Sequence, residues 1–268
     1  MSTGTDAVAT VVVPTFRGRE RVADCLRALS GQRPPHAVLV VDDGSADGTA
    51  DAIRDPHPGV RVLALPENVG FARAANAGLR AAETEFVVLL NDDVLVEPEF
   101  LAHILAPMQA DPAVGMVACL LLQADGDVVE GLGVEADRAL AGFSYGWGLP
   151  AARAAELRPD RVLGPSGGGA AYRTGALREV GFLEEALGAY NEDLDLALRL
   201  RAAGWSCAAA PDAVARHTGS ATYGRRTGRQ LYAKGFSRAY LMRRYGVLRR
   251  PRAAAGAVIG EATTIVWQ

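Results

Sequence analysis

Two places in the chain set carboxylates side by side at the end of an apolar run. Asp42-Asp43 follows Val38–Val41, and Asn91-Asp92-Asp93 follows Phe86–Leu90. Adjacent carboxylates repel one another and are costly to desolvate unless a positive charge sits between them. A divalent cation carrying a diphosphate supplies that charge. Mg2+ and Mn2+ take oxygen ligands, and Mg2+ commonly binds through one or two carboxylates plus substrate phosphates. For either cluster taken alone, a solvated strand-to-loop turn is the alternative. A third acidic group, Glu192-Asp193 with Asp195, opens a helical stretch a hundred residues later.

The elements that must carry these residues follow from apolar period. Thr10–Val13 reads as a first strand stopped by Pro14, Val38–Val41 as a second, Val60–Leu65 as a third and Phe86–Leu90 as a fourth. Each is a short Val- and Leu-rich run, as expected of strands buried on both faces of a parallel sheet. Between them lie helical stretches over 20–29, from about 48 and over 69–82, with Asp47 placed to cap the second. A further helix is predicted over 99–109. Regular alternation implies βαβ units, right-handed crossovers and a mostly parallel sheet. In such sheets ligands bind beyond the carboxyl ends of the strands. Topology alone therefore puts Asp42, Asp43, Asn91, Asp92 and Asp93 on one edge.

The second half is less regular. A long strand is expected over 114–122, then loops with short strands over 124–161 and a flexible Pro165-Ser166-Gly167-Gly168-Gly169 loop whose bare backbone can approach a ligand. A strand over 170–173, a helix over 192–203 ended by Gly204, a strand over 208–217 and a basic helix over 226–245 complete the reading.

Composition narrows the class. The 268 residues are 49% apolar, enough for a substantial core, and the formal charge of -3 argues against a nucleic-acid binder. That average hides an asymmetry: no acidic residue occurs between Gly224 and Arg252, a stretch holding Arg225, Arg226, Arg229, Lys234, Arg238, Arg243, Arg244, Arg249, Arg250 and Arg252. Such a segment either contacts something anionic, a membrane surface or a phosphorylated acceptor, or packs on the core with its arginines solvated. Cys25, Cys119 and Cys207 lie far apart, without metal or redox spacing. They read as reduced thiols of a cytoplasmic protein. The N-terminus lacks a secretory pattern, no run reaches the ~20 apolar residues that span a bilayer, and the tail stops without a cap, as in a chain cut short.

The motifs taken together resemble the family 2 glycosyltransferases, which have the GT-A fold. The matching residues are Val13-Pro14-Thr15, Val41-Asp42-Asp43-Gly44-Ser45-Ala46-Asp47-Gly48-Thr49, Asn68-Val69-Gly70-Phe71-Ala72-Arg73-Ala74-Ala75-Asn76-Ala77-Gly78, Leu90-Asn91-Asp92-Asp93, and Glu192-Asp193-Leu194-Asp195-Leu196 with Arg199. Each is weak alone; five in the family's order across about 200 residues are not. Within the family the pattern is most similar to the bacterial rhamnosyltransferase-like branch.

The resemblance implies roles. Asp42 would meet a uracil or thymine base, with Pro14 and Thr15 beside it, which suits UDP or dTDP. Asn68, Gly70, Arg73, Asn76 and Asp92 would line the nucleoside and diphosphate, helped by free N–H groups at the start of the helix after Gly70. Asn91-Asp92-Asp93 stands where the family has Asp-x-Asp. Its leading Asn is a departure that leaves Asp93 as principal ligand of Mg2+ or Mn2+, and His217 completes that metal site. Asp193 would be the general base of an inverting transfer, with Glu192 beside it. A helix N-terminus favours its charged form, while Glu192 and Asp195 oppose it. Asp195 with Arg199 at i,i+4 reads as a surface ion pair. The domain expectation is a GT-A unit over 1–223 (nucleotide-sugar half 8–122, acceptor half 123–223) followed by a basic helical extension over 224–268. Partners would be a pyrimidine nucleotide sugar, an unidentified acceptor, an anionic membrane at the periphery and a second copy of the chain. Two other classes stay open: a non-catalytic binding module or membrane scaffold, and a sugar-nucleotide pyrophosphorylase. The last lacks its usual Gly-rich loop here, because Pro14-Thr15-Phe16-Arg17-Gly18-Arg19 follows the first strand.

Overall fold

The computed structural model describes residues 6–54, 56–57, 59–218 and 227–249. Along the chain run β1 (Ala9–Thr15), α1 (Arg19–Leu29), β2 (His36–Asp42), α2 (Thr49–Arg54), β3 (Val60–Ala64), α3 (Phe71–Ala81), β4 (Phe86–Leu90), β5 (Val94–Val96), α4 (Phe100–Ala110) and β6 (Val114–Gln123). The second half adds β7 (Val129–Leu132), β8 (Val134–Ala136), β9 (Gly142–Ser144), β10 (Gly169–Arg173), α5 (Thr174–Val180), α6 (Glu192–Ala202), β11 (Ser206–His217) and α7 (Gly228–Arg244). Short 3-10 turns occur at Ala151–Glu156, Pro159–Arg161, Glu185–Leu187 and Val247–Arg249.

The large sheet has the order β3-β2-β1-β4-β10-β6-β11-β5, with β7 on β6. β3, β2, β1 and β4 are mutually parallel, and β11 is parallel to β6. β10 is the insertion that breaks the pattern, running antiparallel to both β4 and β6. Alternation sorts each strand's side chains into two cores. Val11 and Val13 join α1 and α4 residues such as Leu26 and Ile104, while Val12 joins Leu79 of α3, Leu177 of α5 and Leu196 of α6. Helices thus cover both faces, and apolar runs form the strands because neither face meets water. α3 lies close on the sheet: a Cβ at Gly78 would stand 2.4 Å from Val12 Cγ1.

The parallel α/β architecture is as the sequence predicts. α5 and β5 were not foreseen. The basic helix begins at Gly228; Arg225, Arg226, Arg250 and Arg252 of the basic segment lie outside the described residues. α7 is not a loose appendage. Leu241 is fully buried with Val134, Leu187 and Leu194. Among the described residues no helix is long and apolar enough to cross a membrane. Cys25 and Cys119 are buried and Cys207 half-buried, all free thiols.

Candidate active site

Three strand ends meet at one edge. Register pairs Thr15 of β1 with Asp42 of β2, and Asp43 donates its N–H to the Thr15 carbonyl at 2.8 Å. Asp42 is buried, and its Oδ1 accepts from the Ser45 N–H at 3.2 Å. Asp43 turns to the neighbouring loop instead: it accepts from the Val69 N–H (2.7 Å), the Gly70 N–H (3.0 Å) and Asn68 Nδ2 (3.0 Å). The 42–45 turn and the 67–68 turn therefore touch. Gly44 has φ +69°, and a Cβ there would lie 2.3 Å from the Glu67 carbonyl carbon, so only glycine fits.

At the end of β4 the three polar residues diverge. Asp92 is held by Thr15 Oγ1 at 2.6 Å and by Arg21 through Nε (3.2 Å) and Nη2 (3.0 Å). Burial nevertheless leaves its carboxyl above the ordinary value, outweighing those bonds. Asp93 Oδ1 lies 3.2 Å from His217 Nε2, and His217 Nδ1 lies 2.7 Å from Glu130 Oε1 on β7. Burial alone would lower His217, but the two flanking carboxylates win and lift it to about 10. Burial alone would raise Asp93; the His217 bond and charge reverse that and hold it below the usual value. Asn91 Nδ2 is 3.4 Å from His217 Nε2.

The loop 166–169 carries the edge on to α6. The Asn91 N–H donates to the Gly168 carbonyl (3.2 Å), and the Gly167 N–H donates to Asp193 Oδ2 (3.0 Å). A Cβ at Gly167 would stand 3.0 Å from Glu192 Oε1, and one at Gly168 would stand 3.4 Å from His217 Cε1. Glycine here lets two peptide units lie against both acidic groups. Asp193 Oδ1 also accepts from the Leu194 N–H at 2.7 Å. Burial pushes Glu192 up to about 8, aided by the Asp193 charge, and it pushes Asp193 up despite those two N–H groups. Against the helix N-terminus, which favours the charged form of Asp193, desolvation is the larger effect.

Asp42, Thr15, Asp93, His217 and Asp193 are therefore assembled along one continuous edge, Pro14 being buried in β1 next to it. Other expectations change. Asn76 is fully buried and spent within the protein: Nδ2 donates to the Leu183 carbonyl (2.9 Å) and Glu185 Oε1 (3.0 Å), and Oδ1 accepts from the Leu183 N–H (2.9 Å). It ties α3 to the 183–185 turn and does not face a nucleotide. Arg73 is exposed, 3.5 Å from Glu185. The amides after Asn68 are less free than expected, since Val69 and Gly70 serve Asp43 and the Ala72 N–H serves the Gly188 carbonyl. Asp195 is not a surface residue. It is fully buried, bonded by Arg199 Nε (2.7 Å) and the Tyr245 hydroxyl (2.9 Å). Sequence reasoning missed Glu130, which sits in the stretch without period; its only signal was a carboxylate in an otherwise apolar short strand.

Among the described residues no three His, Cys, Asp or Glu side chains form a ready-made metal cage. The donors that are present fit a cation completed by phosphate. Asp93 Oδ1 and His217 Nε2 face one another there and would supply two of its ligands once the imidazole gives up the proton that its two carboxylates hold on it. The three buried side-chain oxygens with no hydrogen-bond partner among the described residues, Asn91 Oδ1, Glu130 Oε2 and Glu192 Oε2, all belong to this edge. Buried acceptors left unpaired are rare and call for a donor or a cation.

Comparison with known proteins accords with this geometry. The model for "Glycosyl transferase family 2" matches residues 10–181. The chain is 32% identical over 211 residues to a pre-mycofactocin glycosyltransferase of Mycobacterium tuberculosis, covering 78% of this chain and 42% of that protein. It is 29% identical over 240 residues to the N-acetylglucosaminyl-diphospho-decaprenol L-rhamnosyltransferase of the same organism, covering 81% of this chain and 78% of the relative. The chain thus spans under half the length of the first relative and over three quarters of the second. Among solved structures, mannosyltransferase PcManGT from Pyrobaculum calidifontis, in complex with GDP-Man and Mn2+, superposes with a TM-score of 0.60 at 22% identity, covering 98% of this chain and 81% of that one. The shared fold is GT-A.

Proposed function

Because the chain belongs to glycosyl transferase family 2, we propose that it moves a sugar from a UDP- or dTDP-sugar to an acceptor hydroxyl with inversion. One observation carries the reading: the edge that bears Asp42 also bears Asp93 with His217 and, through Gly167-Gly168, Asp193. A base would sit at Asp42, whose carboxylate can accept from a pyrimidine imide N–H. Asp93 and His217 would hold Mg2+ or Mn2+, with Thr15 and Arg21 fixing Asp92 behind them. The cation, when bound, neutralises charge on the departing diphosphate.

Asp193 takes the proton of the acceptor hydroxyl as its oxygen bonds to the anomeric carbon. The bond from that carbon to the diphosphate oxygen breaks in the same step, and the nucleoside diphosphate leaves with the electron pair. A raised carboxyl suits the task, since a stronger base accepts the proton more readily near neutral pH. Burial and the neighbouring Asp193 charge raise the Glu192 carboxyl, which favours its protonated form and so eases the burden of a second buried negative charge beside Asp193. An acceptor brought to Asp193 at the start of α6 would suit a lipid-linked saccharide of the kind in the rhamnosyltransferase relative's name.

Replacing Asp193 with Ala should lower transfer by ~10²–10⁴-fold, the range for a lost general base, while calorimetry shows the nucleotide sugar still binding. Loss of both together, or of neither, removes Asp193 from the role. Wild-type protein that binds the donor but transfers nothing would favour the non-catalytic binding module.

A further inference from the structure

α7 has two unlike faces. Gln230, Ser237 and Leu241 are buried against the body. On the far side Tyr232 and Phe236 stand four residues apart with ring centroids 6.4 Å apart, and Tyr240, half-buried against the Leu241 cluster, continues this aromatic stripe toward the body at a further 6.4 Å. Tyr232 is 75% exposed and Phe236 45% exposed. Arg229 and Arg243 lie seven residues either side of Phe236, which puts both on its face. Both are exposed, and no acidic residue occurs from 225 to 252. Leu248, just beyond the helix, is 60% exposed next to Arg249.

We infer that this face of α7 is a docking surface for an anionic lipid bilayer. Aromatic rings with arginines on one helix side match a headgroup boundary, where rings sit at the interface and cations meet anionic lipid. A second copy fits less well, because a two-fold contact would set the same cations against one another. The placement also joins the surface to the chemistry. Asn191 Nδ2 donates to Ser237 Oγ of α7 at 2.8 Å, and Asn191 directly precedes Glu192. Lys234 Nζ sits 5.2 Å from the Tyr190 ring centre, and the Tyr245 hydroxyl reaches Asp195. The buried side of α7 is thus fastened to the start of α6, which carries Asp193, and a bilayer on the opposite side lies about one helix width from it. This deepens the acceptor half of the proposed function by fixing where an amphiphilic acceptor is presented.

The test is co-sedimentation of the full chain with vesicles of phosphatidylcholine alone or mixed with phosphatidylglycerol, without nucleotide or metal, so that its result stands apart from the transfer assay. Wild type should bind the mixed vesicles at least about tenfold more tightly than the neutral ones and lose that binding as salt rises. Tyr232→Ser/Phe236→Ser should weaken binding about tenfold with an unchanged thermal melt; Arg243→Glu should do the same, which a change in aromatic packing alone would not produce. Equal binding to both vesicles, no binding, or binding indifferent to these substitutions overturns the proposal. A dimer that Tyr232→Ser/Phe236→Ser dissociates, in protein that ignores vesicles, assigns the stripe to a second copy instead.

Discussion

Protonation of Glu192 links the site to stability. Its carboxyl is raised from 4.5 to about 8 by burial and by Asp193. Between those values the native state holds a proton that the unfolded chain has released, so stability falls as pH rises through that window. Glu192→Gln removes the effect. Relative to that variant, wild type should lose a few kcal/mol between about pH 5 and pH 8, at ~1.4 kcal/mol per unit, in urea melts at the two pH values; parallel curves would show that Glu192 is not held neutral. Glu130 makes a second prediction. Its bond to His217 Nδ1 orients Nε2 toward Asp93, as an outer carboxylate orients a ligating imidazole. Glu130→Ala should cost about 10–100-fold in Mn2+ affinity by titration calorimetry, with an intermediate value for Glu130→Gln; unchanged affinity would make the contact purely structural. Asp42, Asp93, Asp193 and His217 were legible because each stands at a strand end or helix start that periodicity reveals. Glu130 was not, because it acts from a short strand whose position depends on pairing with β6, and no local period encodes that pairing.

At the scale of elements, the first four strands and their helices were readable within one or two residues, since Val- and Leu-rich runs broken by Pro, Gly and Asp have little alternative. The position of β10 was not readable. Gly169–Arg173 is apolar whichever neighbours it has, and its direction between β4 and β6 is set by tertiary packing. Asn76 shows the same limit. On a helix that follows Asn68 and Gly70 it looked like a ligand to phosphate, yet its partners are Leu183 and Glu185, over a hundred residues away. Asn76→Ala should therefore destabilise the fold by ~1–3 kcal/mol, the cost of buried groups left unpaired, with nucleotide affinity unchanged per folded molecule. A fall in affinity at full stability would return Asn76 to the nucleotide.

For the whole molecule, the issue is whether the C-terminal helix folds with the rest. Leu241, Asp195 with Tyr245, and Asn191 with Ser237 fasten α7 to α6 by apolar, charged and neutral contacts at once. Leu241→Ala should lower stability by about 2–5 kcal/mol within a single thermal transition. Two separate transitions would make α7 an independent unit, as the basic extension over 224–268 first suggested. The seat of β10 has a further consequence, for synthesis. Until residue 173 has left the ribosome, Phe86–Leu90 has β1 on one side and a bare row of amides and carbonyls on the other. An unpaired, wholly apolar edge is a template for sticking to other chains. The half that carries Asp42 and Asp93 is translated first, yet the nascent polypeptide is shielded against aggregation only once its later half arrives.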